Sequence, residues 1–301
     1  MMMAAMAMDG DVAPDAQAST CGTSSGKAEP LTSGTSSDQL STARRAQEVE
    51  LAAELSERIK AEGLAGAEWA TVDCCLRYVR ARRGKPAAAE AMVRESLRWR
   101  ESFGVSRLAE RQEDIRHAGH TGKVRVSACR DRAGRPVLVL TPRLENQRNA
   151  VDPNLVNLVY HLERCIGGRE GVMTFPSPEP SPDGKAVVVM DFRGYSFFNN
   201  PPMRASKATL SIFQNHYPER LHKFIVLNAP TIFYGFYKVI SPFIDPVTKA
   251  KVQFVVGSDE QQRKVLDEHF DLTQLESSLG GGRFYEFSAE EYFSADPEFR
   301  S

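Results

Sequence analysis

Long apolar runs are missing from this chain of 301 residues: the strongest, Ala186 to Met190, falls far short of the ~20 residues needed to cross a bilayer. An excess of charge of either sign is missing too. Lys and Arg number 38 against 39 Asp and Glu, for a formal net charge of −1, and no Arg-rich tail is present to neutralise a phosphate backbone. Nucleic acid is therefore not an expected partner. Cysteine is sparse: Cys21, Cys74, Cys75, Cys129 and Cys165 are an odd number without CxxC spacing, which excludes a disulfide framework or zinc ribbon and suits a reducing, cytoplasmic setting. From Arg44 onward none of GxSxG, HExxH or GxxxxGK[ST] occurs, and His161, His216, His222 and His269 are not spaced as metal ligands. Asp191 in MDFRG reads as a strand-end turn residue. No enzyme chemistry, metal or cofactor is indicated.

What is present begins with a polar leader. Residues 1–43 are Met, Ala, Ser, Thr and Gly with almost no large apolar side chains, too little to offset the entropy of ordering, so the segment is expected to be disordered. A transit peptide is the functional alternative; the acidic Asp9, Asp11, Asp15, Glu29 and Asp38 against Lys27 alone argue against it. Residues 44–118 read as a small helical lobe. Leu51, Leu55 and Ile59 recur at four-residue spacing up to Gly63. A second helix is expected from Ala67 to Arg82 through Trp69, Val72, Leu76 and Val79, and a third opens on Pro86 and runs through Met92, Ser96 and Trp99.

Residues 119–290 change period. Val124, Val126 and Ala128 alternate with polar residues, Asp131 to Gly134 is a turn cluster, and Pro136 to Leu140 closes a hairpin. Asp152 reads as an N-cap before Pro153, and a helix follows through Leu155, Leu158, Val159, Leu162 and Ile166 to Gly167. A Pro-rich loop, Phe175 to Gly184, leads to the β-branched run Ala186 to Met190, of the kind buried on both faces of a parallel sheet. Helix Met203–Asn215, strand Phe224–Leu227, helix Ile232–Ile240 and strand Val252–Val256 complete an α/β layer with crossover connections.

Two segments exceed what packing requires: HYPERLHKFIVLNAP, His216 to Pro230, and FYKVISPFIDPVTKAKV, Phe236 to Val252. Both closely resemble the signature of the CRAL-TRIO lipid-binding family, specifically its secretory-pathway phosphatidylinositol/phosphatidylcholine transfer type. LRYVRAR (Leu76 to Arg82), LRWRESFG (Leu97 to Gly104), GRPV (Gly134 to Val137) and the pair Gly280, Gly281 extend the resemblance over about Ala67 to Tyr285. It implies an α/β CRAL-TRIO lobe with a mixed, largely parallel sheet flooring a lipid pocket, preceded by the helical lobe. It also implies a phosphatidylinositol head-group site at Arg82, Glu219, Thr248 and Lys251. Cations there would neutralise the lipid phosphate, and Glu219 and Thr248 would bond inositol hydroxyls. On the residues alone, Glu219 and Lys251 read as a surface ion pair worth ~0.5 kcal/mol.

The acyl chains need an apolar lining, for which Phe213, Phe233, Phe236, Tyr237, Ile240, Phe243 and Ile244 are candidates, with Phe192 beside them. Tyr237 to Ile244 corresponds to the family's gate helix, interrupted here by Pro242. Where the yeast-type members hold phosphatidylcholine with hydroxyls, this chain has Ala186, Val188, Ser127 and Leu138, so a second lipid is left open: a sterol, another phospholipid or none. The expectation is a monomeric, peripheral membrane protein that carries phosphatidylinositol or presents it to lipid kinases. The rivals are a lipid-sensing interaction protein without bulk transfer, and a carrier of a neutral hydrophobic molecule.

Overall fold

The computed structural model describes residues 34–166, 181–196, 202–240 and 246–296. Helix α1, Gly34–Ala61, starts inside the stretch read as disordered from composition, so that boundary is corrected. Residues 39–47 of α1 are exposed. They are helical because extending a helix already anchored downstream adds one hydrogen bond per residue without a new nucleation cost. The anchor is the buried Ala52, Leu55 and Ile59, packed with Trp69, Tyr78, Met92 and Leu97 into the core of the helical lobe. The second expected helix divides. Ala67–Trp69 is a single 3-10 turn, and α2 is Val72–Ala81, capped by the Thr71 hydroxyl, which accepts from the Cys74 N–H at 3.2 Å. Helix α3, Pro86–Phe103, has Pro86 in its first turn and ends on Gly104 at φ 77°, a left-handed conformation suited to glycine.

A 3-10 segment, Val105–Arg111, leads through α4, Gln112–Gly119, into the sheet. Strands β1 (Val124–Arg130) and β2 (Pro136–Leu140) form the antiparallel hairpin. Next come α5 (Val151–Ile166), β3 (Ala186–Asp191), α6 (Met203–His216), β4 (Leu221–Leu227), α7 (Thr231–Ile240), α8 (Pro246–Lys251) and β5 (Val252–Val255). Strand order is β1-β2-β3-β4-β5, and β2 through β5 are parallel. Asp152 does not cap α5. The helix already includes Val151, the Asn154 N–H bonds the Ala150 carbonyl, and the Asp152 carboxylate takes Arg111 at 2.6 Å instead.

Period-two alternation sorts the strands onto two cores. Leu138, Leu140, Val188, Met190, Phe224 and Val226 face α5 and α6, while Val137, Val139, Val187, Val189, Ile225 and Leu227 face the opposite side. Both faces are buried, which is why β3 reads as an unbroken apolar run. The outer face is covered by α9, Asp259–His269, which opens with a Ser258/Gln261 capping box, and by Phe270, Leu275 and Leu279 after it. This covering is locked by a buried ion pair between Arg125 and Glu276, whose second oxygen accepts from Ser127 at 2.8 Å. Gly281 has no substitute there: a Cβ would stand 1.9 Å from the Leu275 carbonyl oxygen. The chain then crosses back, and α10, Ala289–Ser294, puts Tyr292 and Phe293 into the inner core. Tyr292 accepts from the Val126 N–H at 2.9 Å, and Tyr160 donates to the buried Asp296 at 2.9 Å. Among the described residues no helix is long and apolar enough to cross a membrane.

Candidate functional site

The helical lobe and the α/β lobe meet at the segment that leaves α6. Tyr78 of α2 donates its hydroxyl to the His216 carbonyl at 3.1 Å, and Ser96 of α3 donates to the Asn215 carbonyl at 2.9 Å. The His216 ring stacks on Trp99 with centroids 4.1 Å apart. Arg100 of α3 reaches across with two bonds to Glu163 of α5, at 2.8 and 3.1 Å, and Tyr217 adds a third at 2.5 Å. Burial works to raise the Glu163 carboxyl, but Arg100 and Tyr217 overcome it and hold the group below the usual carboxylate range. A shallow cleft lies along this seam, lined by Arg77, Arg100, Glu163, Tyr217 and Arg220 among others.

The turn after Tyr217 is strained. Glu219 has φ 56°, one of three non-glycine residues in the left-handed region among the described residues; the others are Arg83 and Asn228. For an L-residue that conformation costs roughly 1–2 kcal/mol and persists only where its surroundings enforce it. All three lie in or beside the motif segments: Arg83 directly after LRYVRAR, Glu219 in YPER, Asn228 in NAP. Here the enforcement comes from both sides of the turn. Pro218 is buried, and the Arg220 carbonyl accepts from the Ala186 N–H at 2.8 Å as β4 joins β3. Asn228 is fixed at the other end of β4 by donating to Asp191 at 2.7 Å.

The four head-group candidates divide as follows. Arg82 ends α2 one turn past Tyr78, its N–H on the Tyr78 carbonyl at 3.0 Å, so its helix is tied to the residue two before the YPER proline. Glu219 stands at the N-terminal end of β4, and Lys251 ends α8 immediately before β5. Because Phe224 pairs with Val252, Lys251 enters the sheet next to Lys223. Glu219 and Lys251 thus lie at the N-terminal ends of the neighbouring parallel strands β4 and β5, with Glu219 four residues before Lys223. The carboxylate of Glu219 lies 4.0 Å from Lys185, a residue that sequence reasoning passed over. Only the β3–β4 register, Ala186 opposite Leu221, reveals that neighbour. The side chain of Thr248 lies outside the described residues.

The inner face of the sheet continues into an aromatic wall. Phe233 of α7 is buried with its ring 4.7 Å from Phe192, and Tyr234 and Tyr237 stand 4.7 and 4.9 Å from Phe254 of β5. Phe213 of α6 packs half-buried against the same core. Phe254 was missed because VQFVV reads simply as a strand. The side chains of Phe236 and Ile240, and all of Phe243 and Ile244, lie outside the described residues. Ser127 is committed to Glu276, and Leu138 and Val188 add only hydrocarbon to the inner wall.

This geometry has known counterparts. Residues 120–281 match the profile of the CRAL/TRIO domain. A CRAL-TRIO domain-containing protein of Schizosaccharomyces pombe is 33% identical over 226 residues, covering 75% of this chain and 20% of that protein. The phosphatidylinositol transfer protein PDR17 of Saccharomyces cerevisiae is 28% identical over 235 residues, covering 75% of this chain and 61% of its own length. The chain therefore spans about a fifth and about three fifths of these two relatives. Among solved structures, Sfh5 superposes with a TM-score of 0.50 at 18% identity, over 69% of this chain and 80% of that one, a likeness of fold. With the profile match spanning more than half of its length, the chain belongs to the CRAL/TRIO domain family, a family of lipid-binding and lipid-transfer domains rather than enzymes.

Proposed function

We propose that this protein binds phosphatidylinositol, with the head group at the N-terminal ends of β4 and β5 and the acyl chains along the inner apolar wall, and carries it between membranes or presents it to lipid kinases. The observation that carries the reading is the strained Glu219 turn, placed beside Lys185, with Lys251 just before the neighbouring strand. A fold that tolerates such backbone strain to hold a carboxylate among lysines is arranged for a ligand bearing both hydroxyls and a phosphate. Contact with a membrane is part of the same reading. Ile232 and Val247, on α7 and α8, are about 60% exposed, and the neighbouring Lys238 and Lys249 are exposed as well, a mixture suited to an anionic lipid surface. The protein is placed by this reading in the cytoplasm, peripheral at membranes.

Native mass spectrometry of the purified protein, with and without phosphatidylinositol vesicles, is the direct test. Lys251→Ala is expected to lower phosphatidylinositol binding at least tenfold, about 1.4 kcal/mol, with little change in thermal stability. Unchanged binding in that variant, or absence of the lipid from the wild type, would remove the reading.

A further inference from the structure

Asn228 follows β4 directly and stands just before α7, the helix that carries Phe233, Tyr234 and Tyr237 onto the aromatic wall. Its φ of 53° is one that glycine would adopt without strain. What asparagine adds is an amide, and both ends of that amide are engaged. Its Nδ2 donates at 2.7 Å to the buried Asp191 carboxylate at the end of β3, on the same oxygen that accepts from the Arg193 N–H at 2.9 Å. Its Oδ1 accepts from Gln262 of α9 at 3.2 Å, and the Gln262 amide also donates to the Gly257 carbonyl after β5 at 3.1 Å. One side chain therefore ties together the ends of β3 and β4, the turn after β5 and the helix on the outer face.

The backbone beyond Asn228 has little freedom of its own. Ala229 is confined by the proline after it, Pro230 has a fixed φ, and the Pro230 carbonyl accepts from the Phe233 N–H at 2.8 Å. The direction in which α7 leaves the sheet is thus set at Asn228. The same corner touches the wall: Phe192, next to Asp191, meets the Phe233 ring at 4.7 Å, and its N–H bonds the Leu227 carbonyl at 3.0 Å. A small rotation there is amplified along the ten residues of α7, about 15 Å, and would lift Tyr237 from Phe254.

We infer that Asn228 is a positioning residue for lipid exchange: its amide latches the corner from which α7 leaves the sheet, and breaking the latch frees α7 to swing off the aromatic wall and pass a lipid. This rests on the proposed use of that wall as a lipid pocket, and it adds the element that controls access to it.

The test follows release of pyrene-labelled phosphatidylinositol from the preloaded whole chain to phosphatidylcholine vesicles, with hydrogen exchange read separately over α7 and over α2 and α3. Asn228→Gly keeps the left-handed backbone and removes both amide bonds. Loss, in the closed form alone, of a bond to a buried carboxylate is expected to speed release about tenfold and to raise exchange in α7, with α2 and α3 unchanged. Gln262→Ala leaves the bond to Asp191 and should speed release about threefold; it carries the test if Asn228→Gly does not fold. Release at the wild-type rate, or exchange raised alike in α7 and in the helical lobe, would make the corner merely structural and overturn the inference while the proposed function stands. A wild-type protein that takes up no phosphatidylinositol would remove both.

Discussion

Acidification from pH 7 to pH 5 should weaken this fold through its buried histidines before the carboxylates titrate. His216 sits in the seam between the lobes, against Trp99 and within 3.1 Å of the Ser96 hydroxyl; burial, reinforced by the Arg100 guanidinium, lowers its pKa to about 4. His161 on α5 is fully enclosed, with one ring nitrogen 2.6 Å from the Asn157 carbonyl, and burial lowers it to about 3. A histidine whose folded pKa lies below its unfolded value of about 6.5 takes up its proton first in the unfolded chain. Its contribution is whole above pH 6.5 and drains away as the pH falls toward the folded pKa. At pH 5 the unfolded imidazole is almost fully protonated and the folded one scarcely at all, a loss of about 2 kcal/mol for each residue relative to pH 7. His222 and His269, lowered mainly by burial, act in the same direction. Glu163 is held low, so its contribution persists until the pH drops below the ordinary carboxylate range and does not enter this window. Urea unfolding at pH 7 and pH 5 checks the sum: wild type should lose about 4 kcal/mol, and His216→Gln about half of that even if less stable at pH 7. Identical losses in the two proteins would refute the assignment of His216 as a buried neutral group.

Glu219→Gly relieves the φ 56° backbone while removing the carboxylate, so stability should change by less than ~1 kcal/mol while phosphatidylinositol transfer falls at least tenfold; a loss of several kcal/mol in chemical denaturation would make Glu219 structural. Phosphatidylcholine exchange from labelled vesicles should be weak, because Ala186 and Val188 offer no hydroxyl and Ser127 is taken by Glu276; rates near those for phosphatidylinositol would contradict this. Hydrogen exchange across α7 and α8 should speed up when vesicles are added, since opening there exposes apolar surface that only lipid tolerates, and identical exchange with and without vesicles would place lipid entry elsewhere.

Elements with strong periodicity were legible in the sequence. The four-residue spacing of Leu51, Leu55 and Ile59, Pro86 at a helix start, and the run Ala186 to Met190 each correspond to an observed helix or strand because one local rule suffices for each. Asp152 shows the limit of such rules. Its carboxylate suits an N-cap, yet the helix starts one residue before it and Arg111, forty-one residues earlier, pairs with it at 2.6 Å. The far end of the chain was illegible for a related reason. Glu276 and Asp296 look like surface acids until the fold brings Arg125, Ser127 and Tyr160 to them, more than a hundred residues back in the chain.

The candidate site divides along the same line. Motif spacing placed Arg82 at a helix end and Glu219 and Lys251 just before β4 and β5, where the fold has them, because each motif sits at an element boundary. Lys185 could not be found that way: it matters only through the register of β3 against β4, which pairs Ala186 with Leu221 and so brings the residue before β3 to the carboxylate two residues before β4.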